Sequence, residues 1–242
     1  MSLQFEKDAN LASRSRFPNE VFQIYDSLKD KFSNKPGWEN LSEIQLWEEL
    51  CLCILSSNVP FELAVSALKH LSKSGLLDED WLKQNDSAEN TLQLELSKPL
   101  YLPKKKDGSF RKYRFPRVRS RDIIGAANML YSEGNNIQSL LLNSESHNDL
   151  RNYLASSVPG LGLKESSHFL RNIGFSSSLA IIDVHIISFL KYLEVFPFER
   201  TLITGKMYLE LEKIMQNISE IYGLDLAILD NAIWYYMRSN TS

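Results

Sequence analysis

Two residues of this 242-residue chain stand out for the chemistry their types and spacing allow, Lys164 and Asp183. Lys164 comes two residues after the turn Val158-Pro159-Gly160-Leu161-Gly162. Asp183 comes 19 residues after the lysine, closing the apolar run Leu179-Ala180-Ile181-Ile182. A glycine turn that opens a helix leaves bare backbone N–H groups at a positive dipole end, and phosphate is the usual occupant of such a site. A neutral amine is a nucleophile toward an electrophilic carbon, and a carboxylate beside it can stabilise positive charge or take up a proton. Brought together next to a phosphate cradle, the pair suits imine chemistry on a sugar. Each residue also has a plainer use, the lysine as a point charge for phosphate and the aspartate as a helix N-cap.

The elements that must position them can be read from hydrophobic spacing. Leu150, Tyr153 and Leu154 fall at helical intervals before the turn. Pro159 disfavours helical geometry at Val158, and the two glycines permit positive φ. The chain then restarts as a helix with Leu163, Phe169, Leu170 and Ile173 on its apolar side, and Gly174 is a natural terminator. Ile186, Ile187, Phe189 and Leu190 predict a helix over 184–192. Helices are also predicted over 17–32, 42–57, 60–71, 122–131, 206–222 and 224–237, the second nearly apolar all round as in a central buried helix. Residues 1–16 are polar and expected to be loosely ordered, 34–37 to form a turn and 194–204 a loop.

Hydrophobic residues make up 43% of the chain, ample for a core. The only cysteines, Cys51 and Cys53, lie in an apolar helix and are expected to be buried. Two cysteines cannot build a four-cysteine zinc or iron–sulfur site. No disulfide framework, membrane span or leader is expected, which points to a reducing cytoplasm. The net charge of −3 argues against a nucleic-acid partner, but its distribution argues for one. Residues 98–121 hold ten basic residues and one acid, a net of +9, while the remainder carries 17 basic and 29 acidic residues. A basic band on an acidic body is the footprint of a polyanion contact, although such bands also occur as solvated loops.

Within this band the texture changes. Leu92, Leu94 and Leu96 alternate, as do Tyr113 and Phe115, and Asp107-Gly108 is a hairpin turn signal. A small β-hairpin insertion near 99–115 is therefore predicted. Its aromatics Tyr101, Phe110, Tyr113 and Phe115 could serve nucleic-acid stacking or cover the domain edge.

VPGLGLKESSHFLRNIG followed by IIDVHI resembles the helix–hairpin–helix and Gly/Pro-Asp motif of base-excision DNA glycosylases. The hairpin, the lysine and the aspartate are most similar to those of 8-oxoguanine DNA glycosylase/AP lyases, in particular the compact archaeal-type class. The family commonly has alanine two residues after the lysine, where this chain has Ser166. The resemblance implies an all-α, two-lobed fold, one lobe spanning about 40–145, the other about 1–39 with 146–242 and carrying the hairpin. The DNA cleft would lie between them.

The resemblance also implies roles. Pro159, Gly160, Gly162 and His185 would meet the DNA backbone, the turn carbonyls could hold a monovalent cation, and no iron–sulfur cluster or other cofactor is implied. Asn58, in Ser56-Ser57-Asn58, would enter the space left by a flipped base, although asparagine at a helix end is also a common C-cap. Arg117 and Arg119 would contact DNA, Arg119 at the base opposite the lesion. Phe115 and Trp234 would stack on the extruded base, with Asp230 at the pocket. The family commonly ends in a lysine whose carboxylate helps to read the base; here Ser242 stands at the corresponding place. The implied protein is a monomeric, nucleoid-associated bifunctional glycosylase acting on double-stranded DNA, with Lys164 attacking C1′ and Asp183 assisting. Two alternatives stay open, a glycosylase for another damaged base and a non-catalytic hairpin DNA-binding protein.

Overall fold

A computed structural model describes residues 16–33, 37–195 and 203–240. The N-terminal stretch 1–15, most of the predicted 34–37 turn, the middle of the 194–204 loop, and Ser242 lie outside the described residues. The described elements are helical: α1 (Asn19–Ser33), α2 (Glu43–Ser56), α3 (Phe61–Lys73), α4 (Glu79–Gln84), α5 (Ala88–Ser97), α6 (Pro116–Leu130), α7 (Ile137–Leu142), α8 (His147–Ser157), α9 (Leu163–Asn172), α10 (Val184–Tyr192), α11 (Gly205–Tyr222) and α12 (Leu226–Asn240).

The chain divides into two compact units, Gly37–Phe175 and Met1–Pro36 with Ser176–Ser242. The division differs from the expected one, because the hairpin helices α8 and α9 group with the middle segment. The cause is packing, since α9 lies on α2 as well as on α8.

In the middle unit α2 is the axis. A capping box starts it, with Ser42 Oγ accepting from Gln45 N and Gln45 Oε1 accepting from Ser42 N. Leu46, Trp47, Leu50, Cys51, Leu52, Cys53, Ile54 and Leu55 are all buried, and α3, α6, α7 and α9 pack around them. Each fully buried leucine here contributes roughly 2 kcal/mol of transfer free energy. Both cysteines are free, and burial pushes their thiols well up, so neither is a thiolate nucleophile.

The predicted β-hairpin is absent, and no strand occurs among the described residues. Residues 88–97 form α5 instead. Leu92 and Leu96 sit four apart on its buried face while Leu94 is 66% exposed, so the alternation was three leucines of a helix. The following segment has one isolated antiparallel bridge, Tyr101 with Arg111, whose N–H and C=O groups exchange two 3.0 Å bonds. A ladder cannot extend from it. Pro103 has no N–H to give, Leu102 N donates to Ser66 Oγ, and Tyr113 N donates to Leu96 O.

In the other unit α12 packs on α1, α10 and α11. Phe17, Phe22, Phe189 and Tyr222 form an aromatic cluster, and Tyr25 Oη accepts from Asp225 N near the start of α12.

Candidate active site

In the middle unit, α8 ends at Val158, whose N–H still bonds Leu154 O. Leu161 N turns back onto Val158 O at 3.2 Å, and α9 begins when Ser166 N reaches Gly162 O at 2.9 Å. Gly162 supplies no side-chain cap, so the first N–H groups of α9 carry no side-chain oxygen. This is the anion-binding geometry that the glycine pattern predicts.

Gly160 holds the hairpin against the rest of the unit. Its φ is +83°, and a Cβ there would stand 2.8 Å from Asp122 Cβ and 3.1 Å from Ile54 Cγ2. Pro159 packs as closely on Gly125, where a Cβ would meet its Cγ at 2.9 Å. Replacing Gly160 by Ala is expected to cost about 2–4 kcal/mol, from backbone strain and overpacking together. Urea denaturation of the variant measures it; a loss below about 0.5 kcal/mol would contradict this close packing.

Lys164 is in the first turn of α9, its side chain 32% exposed and Nζ 3.7 Å from Glu165 Oε1. Glu165 was not singled out by sequence; an acid in the first turn reads only as a dipole complement. Two residues after the lysine, Ser166 is fully buried and its hydroxyl has no partner among the described residues. Ser166→Ala is therefore expected to raise stability by about 1 kcal/mol, read as an increase in Tm.

Two other sequence candidates, Asn58 and Arg119, meet around the end of α2. Asn58 is exposed and adopts a left-handed conformation, φ 60°, just past the helix. Arg119 is buried: Nη1 donates to Asp122 Oδ2 at 2.7 Å, Nη2 donates to Ser57 O at 3.2 Å, and Nε has no partner among the described residues. Its guanidinium is thus fixed beside the segment that carries Asn58. Asp122, which holds Arg119 and also lies under Gly160, was missed by sequence reasoning; a carboxylate three residues along a helix is too common to signal its role. Phe115 precedes α6, half-buried, with the Arg114 guanidinium 4.9 Å from its ring centre. Arg117 is exposed on the first turn of α6.

The other unit carries Asp183, the N-cap of α10. Its Oδ1 accepts from His185 N and Ile186 N, each at 2.9 Å. The segment before it is fixed one peptide at a time. Ala180 N donates to Glu212 Oε1 at 3.1 Å, Ile181 N to Asp230 Oδ2 at 2.8 Å, and Ile182 N to Tyr208 Oη at 3.4 Å. Tyr208 Oη in turn donates to Ala180 O at 2.8 Å. Asp230 is thus buried and anchors the run that ends in Asp183. Neither Glu212 nor Tyr208 could be found from sequence, because their partners, Ala180 N, Ile182 N and Ala180 O, are backbone groups 26 to 32 residues away. His185 meets Trp234 edge-on, ring centres 5.9 Å apart, and the Arg238 guanidinium lies 4.8 Å from the Trp234 ring centre. Asn58, Arg119 and the hairpin therefore share one unit, and Asp183, His185, Asp230 and Trp234 the other.

A family profile described as 8-oxoguanine DNA glycosylase matches residues 28–224. The 8-oxoguanine DNA glycosylase/AP lyase of Methanocaldococcus jannaschii is 30% identical over 216 residues, covering 88% of this chain and 90% of its own length. The enzyme of that name from Sulfurisphaera tokodaii is 32% identical over 203 residues, covering 84% and 86%. The fold is similar to the crystal structure of the M. jannaschii 8-oxoguanine DNA glycosylase, with a TM-score of 0.67, 27% identity, and coverage of 97% of this chain and 94% of that one. A second structure of the M. jannaschii protein, in complex with a 15mer DNA containing 8-oxoguanine, gives a TM-score of 0.65 at 26% identity, covering 97% of each chain. With the uncapped hairpin, the lysine two residues beyond it and the anchored aspartate all in place, this chain belongs to the 8-oxoguanine DNA glycosylase family.

Proposed function

We propose that the chain is a bifunctional base-excision-repair enzyme that removes 8-oxoguanine opposite cytosine from double-stranded DNA and then nicks the strand as an AP lyase. The observation that carries the reading is Lys164, placed in the first turn of a helix whose N-terminus is open to phosphate. The hairpin N–H groups grip the DNA backbone. The hairpin carbonyl oxygens each have a second lone pair, so they suit a monovalent cation at the phosphate, and no step of the chemistry runs through it. The damaged guanine leaves the stack, and Phe115 and Trp234 are each a candidate aromatic face for it. Asn58 and Arg119 meet the cytosine left behind, for which an amide and a guanidinium fork are suitable partners.

Lys164 Nζ, as a neutral amine, attacks C1′. The C1′–N9 bond breaks, the electron pair leaves with the base, and an imine forms between the lysine and the opened sugar. Loss of a C2′ proton then expels the 3′ phosphate, which is the lyase step. Asp183 stabilises the positive charge that develops at the sugar and takes part in proton transfer. The enzyme works as a monomer wherever the chromosome is; among the described residues no helix is long and apolar enough to cross a membrane.

Duplexes carrying 8-oxoguanine opposite each of the four bases test this. Free 8-oxoguanine is expected fastest opposite cytosine, with a strand nick that needs no alkali. Release of some other damaged base only, or of none, would overturn the reading.

A further inference from the structure

The proposed chemistry makes no use of residues 98–114, the basic loop that leads from α5 to Phe115. This loop is not slack. Tyr101 and Tyr113 are buried at its base. Tyr101 Oη donates to Glu95 O at 2.6 Å, and the Tyr113 hydroxyl donates to Leu55 O, three residues before Asn58. Burial pushes the Tyr113 hydroxyl up to about 12, so it remains a donor at neutral pH. Two of the aromatics that sequence offered for stacking are therefore anchors. Arg111 Nε donates to Pro103 O at 2.8 Å and ties the loop across its waist.

The tip is closed as well. Lys105 N donates to Ser109 O at 2.8 Å, Gly108 N donates to Lys105 O at 3.0 Å, and Gly108 takes φ +81°. The single acid, Asp107, accepts from Ser109 Oγ and Ser109 N at 2.6 and 2.9 Å, and these bonds hold its carboxyl below the usual range. Both bonds lie within the turn, and the loop keeps its large excess of basic residues. Lys104, Lys105, Lys106 and Lys112 are exposed, and none of them forms an ion pair among the described residues. Lys104 lies over the ring of the partly exposed Phe110 at 4.7 Å.

We propose that residues 98–114 are a preorganised second contact for duplex DNA, tracking backbone phosphates beyond the nucleotides held by the hairpin. The proposal rests on DNA being the substrate. A set of exposed cations whose one acid is hydrogen-bonded within the turn matches a polyphosphate and no neutral or cationic partner. An anchored loop also loses little entropy when it binds. The anchor on Leu55 O fixes the loop to the end of α2 that presents Asn58, so the cations extend the same contact.

The test is the salt dependence of binding to a lesion-free duplex. The triple variant Lys105→Ser, Lys106→Ser, Lys112→Ser leaves every anchor in place. The slope of log K against log salt should become shallower by roughly 2–3, since each phosphate contact contributes about 0.9. The control Lys29→Ser, Lys31→Ser, Lys213→Ser removes the same charge elsewhere and should keep the wild-type slope. An unchanged slope in the loop variant, an equal change in the control, or a loss confined to single-stranded RNA or anionic vesicles would overturn the proposal. Release of 8-oxoguanine by the wild-type protein is measured separately: its absence with the slope change present would sink the glycosylase reading and leave the loop contact standing.

Discussion

Lys164→Gln is expected to lower single-turnover release of 8-oxoguanine by roughly 10⁴- to 10⁶-fold, the scale on which enzymes lose activity when a covalent nucleophile is removed. The substitution isolates chemistry from folding. Glutamine is nearly as good a helix former as lysine, and the side chain is a third exposed, so little packing is lost. The hairpin N–H groups are backbone and survive the change. Duplex binding should therefore stay within about tenfold of wild type, a difference of no more than about 1.4 kcal/mol. Quench-flow or manual time courses under enzyme excess read the first quantity and a filter-binding titration the second. A loss of excision matched by an equal loss of binding would return the lysine to the role of phosphate point charge.

Asp183→Asn should reduce the same single-turnover rate by roughly 10²- to 10⁴-fold, the usual range for a positioned acid–base or charge-stabilising group. In the structure this carboxylate caps α10, the proposed chemistry asks a second role of it, and the asparagine variant separates the two. As an N-cap, Asp183 accepts from His185 N and Ile186 N through one oxygen. An amide oxygen can do the same, and asparagine caps as well as aspartate. Thermal stability should therefore hold in Asp183→Asn and fall by about 1 kcal/mol in Asp183→Ala. The props beneath the residue, Glu212, Asp230 and Tyr208, act on the preceding peptides and are untouched. A rate within about threefold of wild type in the asparagine variant, with the alanine variant destabilised, would leave Asp183 as a cap alone. The effects of Lys164→Gln and Asp183→Asn should not add, because both act on one bond-breaking step.

The hairpin was legible because its chemistry is local. Pro159, Gly160 and Gly162 constrain only their own backbone and immediate neighbours, and the turn they predict is the turn found. The helices that flank it follow from apolar spacing in the same way. The region after residue 88 was misread because a period of two and a period of 3.6 both pass through Leu92 and Leu96. The deciding fact, that Leu94 faces solvent, belongs to tertiary packing. Tyr101 and Tyr113 were ambiguous for a related reason, since an aromatic among lysines can stack on a base or bury itself, and the acceptors Glu95 O and Leu55 O appear only in the fold. Arg119 shows the same limit at the site. Its place near a helix start was readable, although that helix begins at Pro116 and not at Asp122, so Arg119 lies within its first turn; its buried pairing with Asp122 was not readable.

The central claim is that Lys164 forms a covalent imine with the sugar of a damaged nucleotide. Borohydride reduction during turnover tests it directly, on a duplex carrying 8-oxoguanine opposite cytosine. Wild-type protein should yield a stable protein–DNA adduct, peptide mapping should place the cross-link on Lys164, and Lys164→Gln should give none. Release of free base by the wild type with no adduct, or an adduct that persists in Lys164→Gln, would contradict the account.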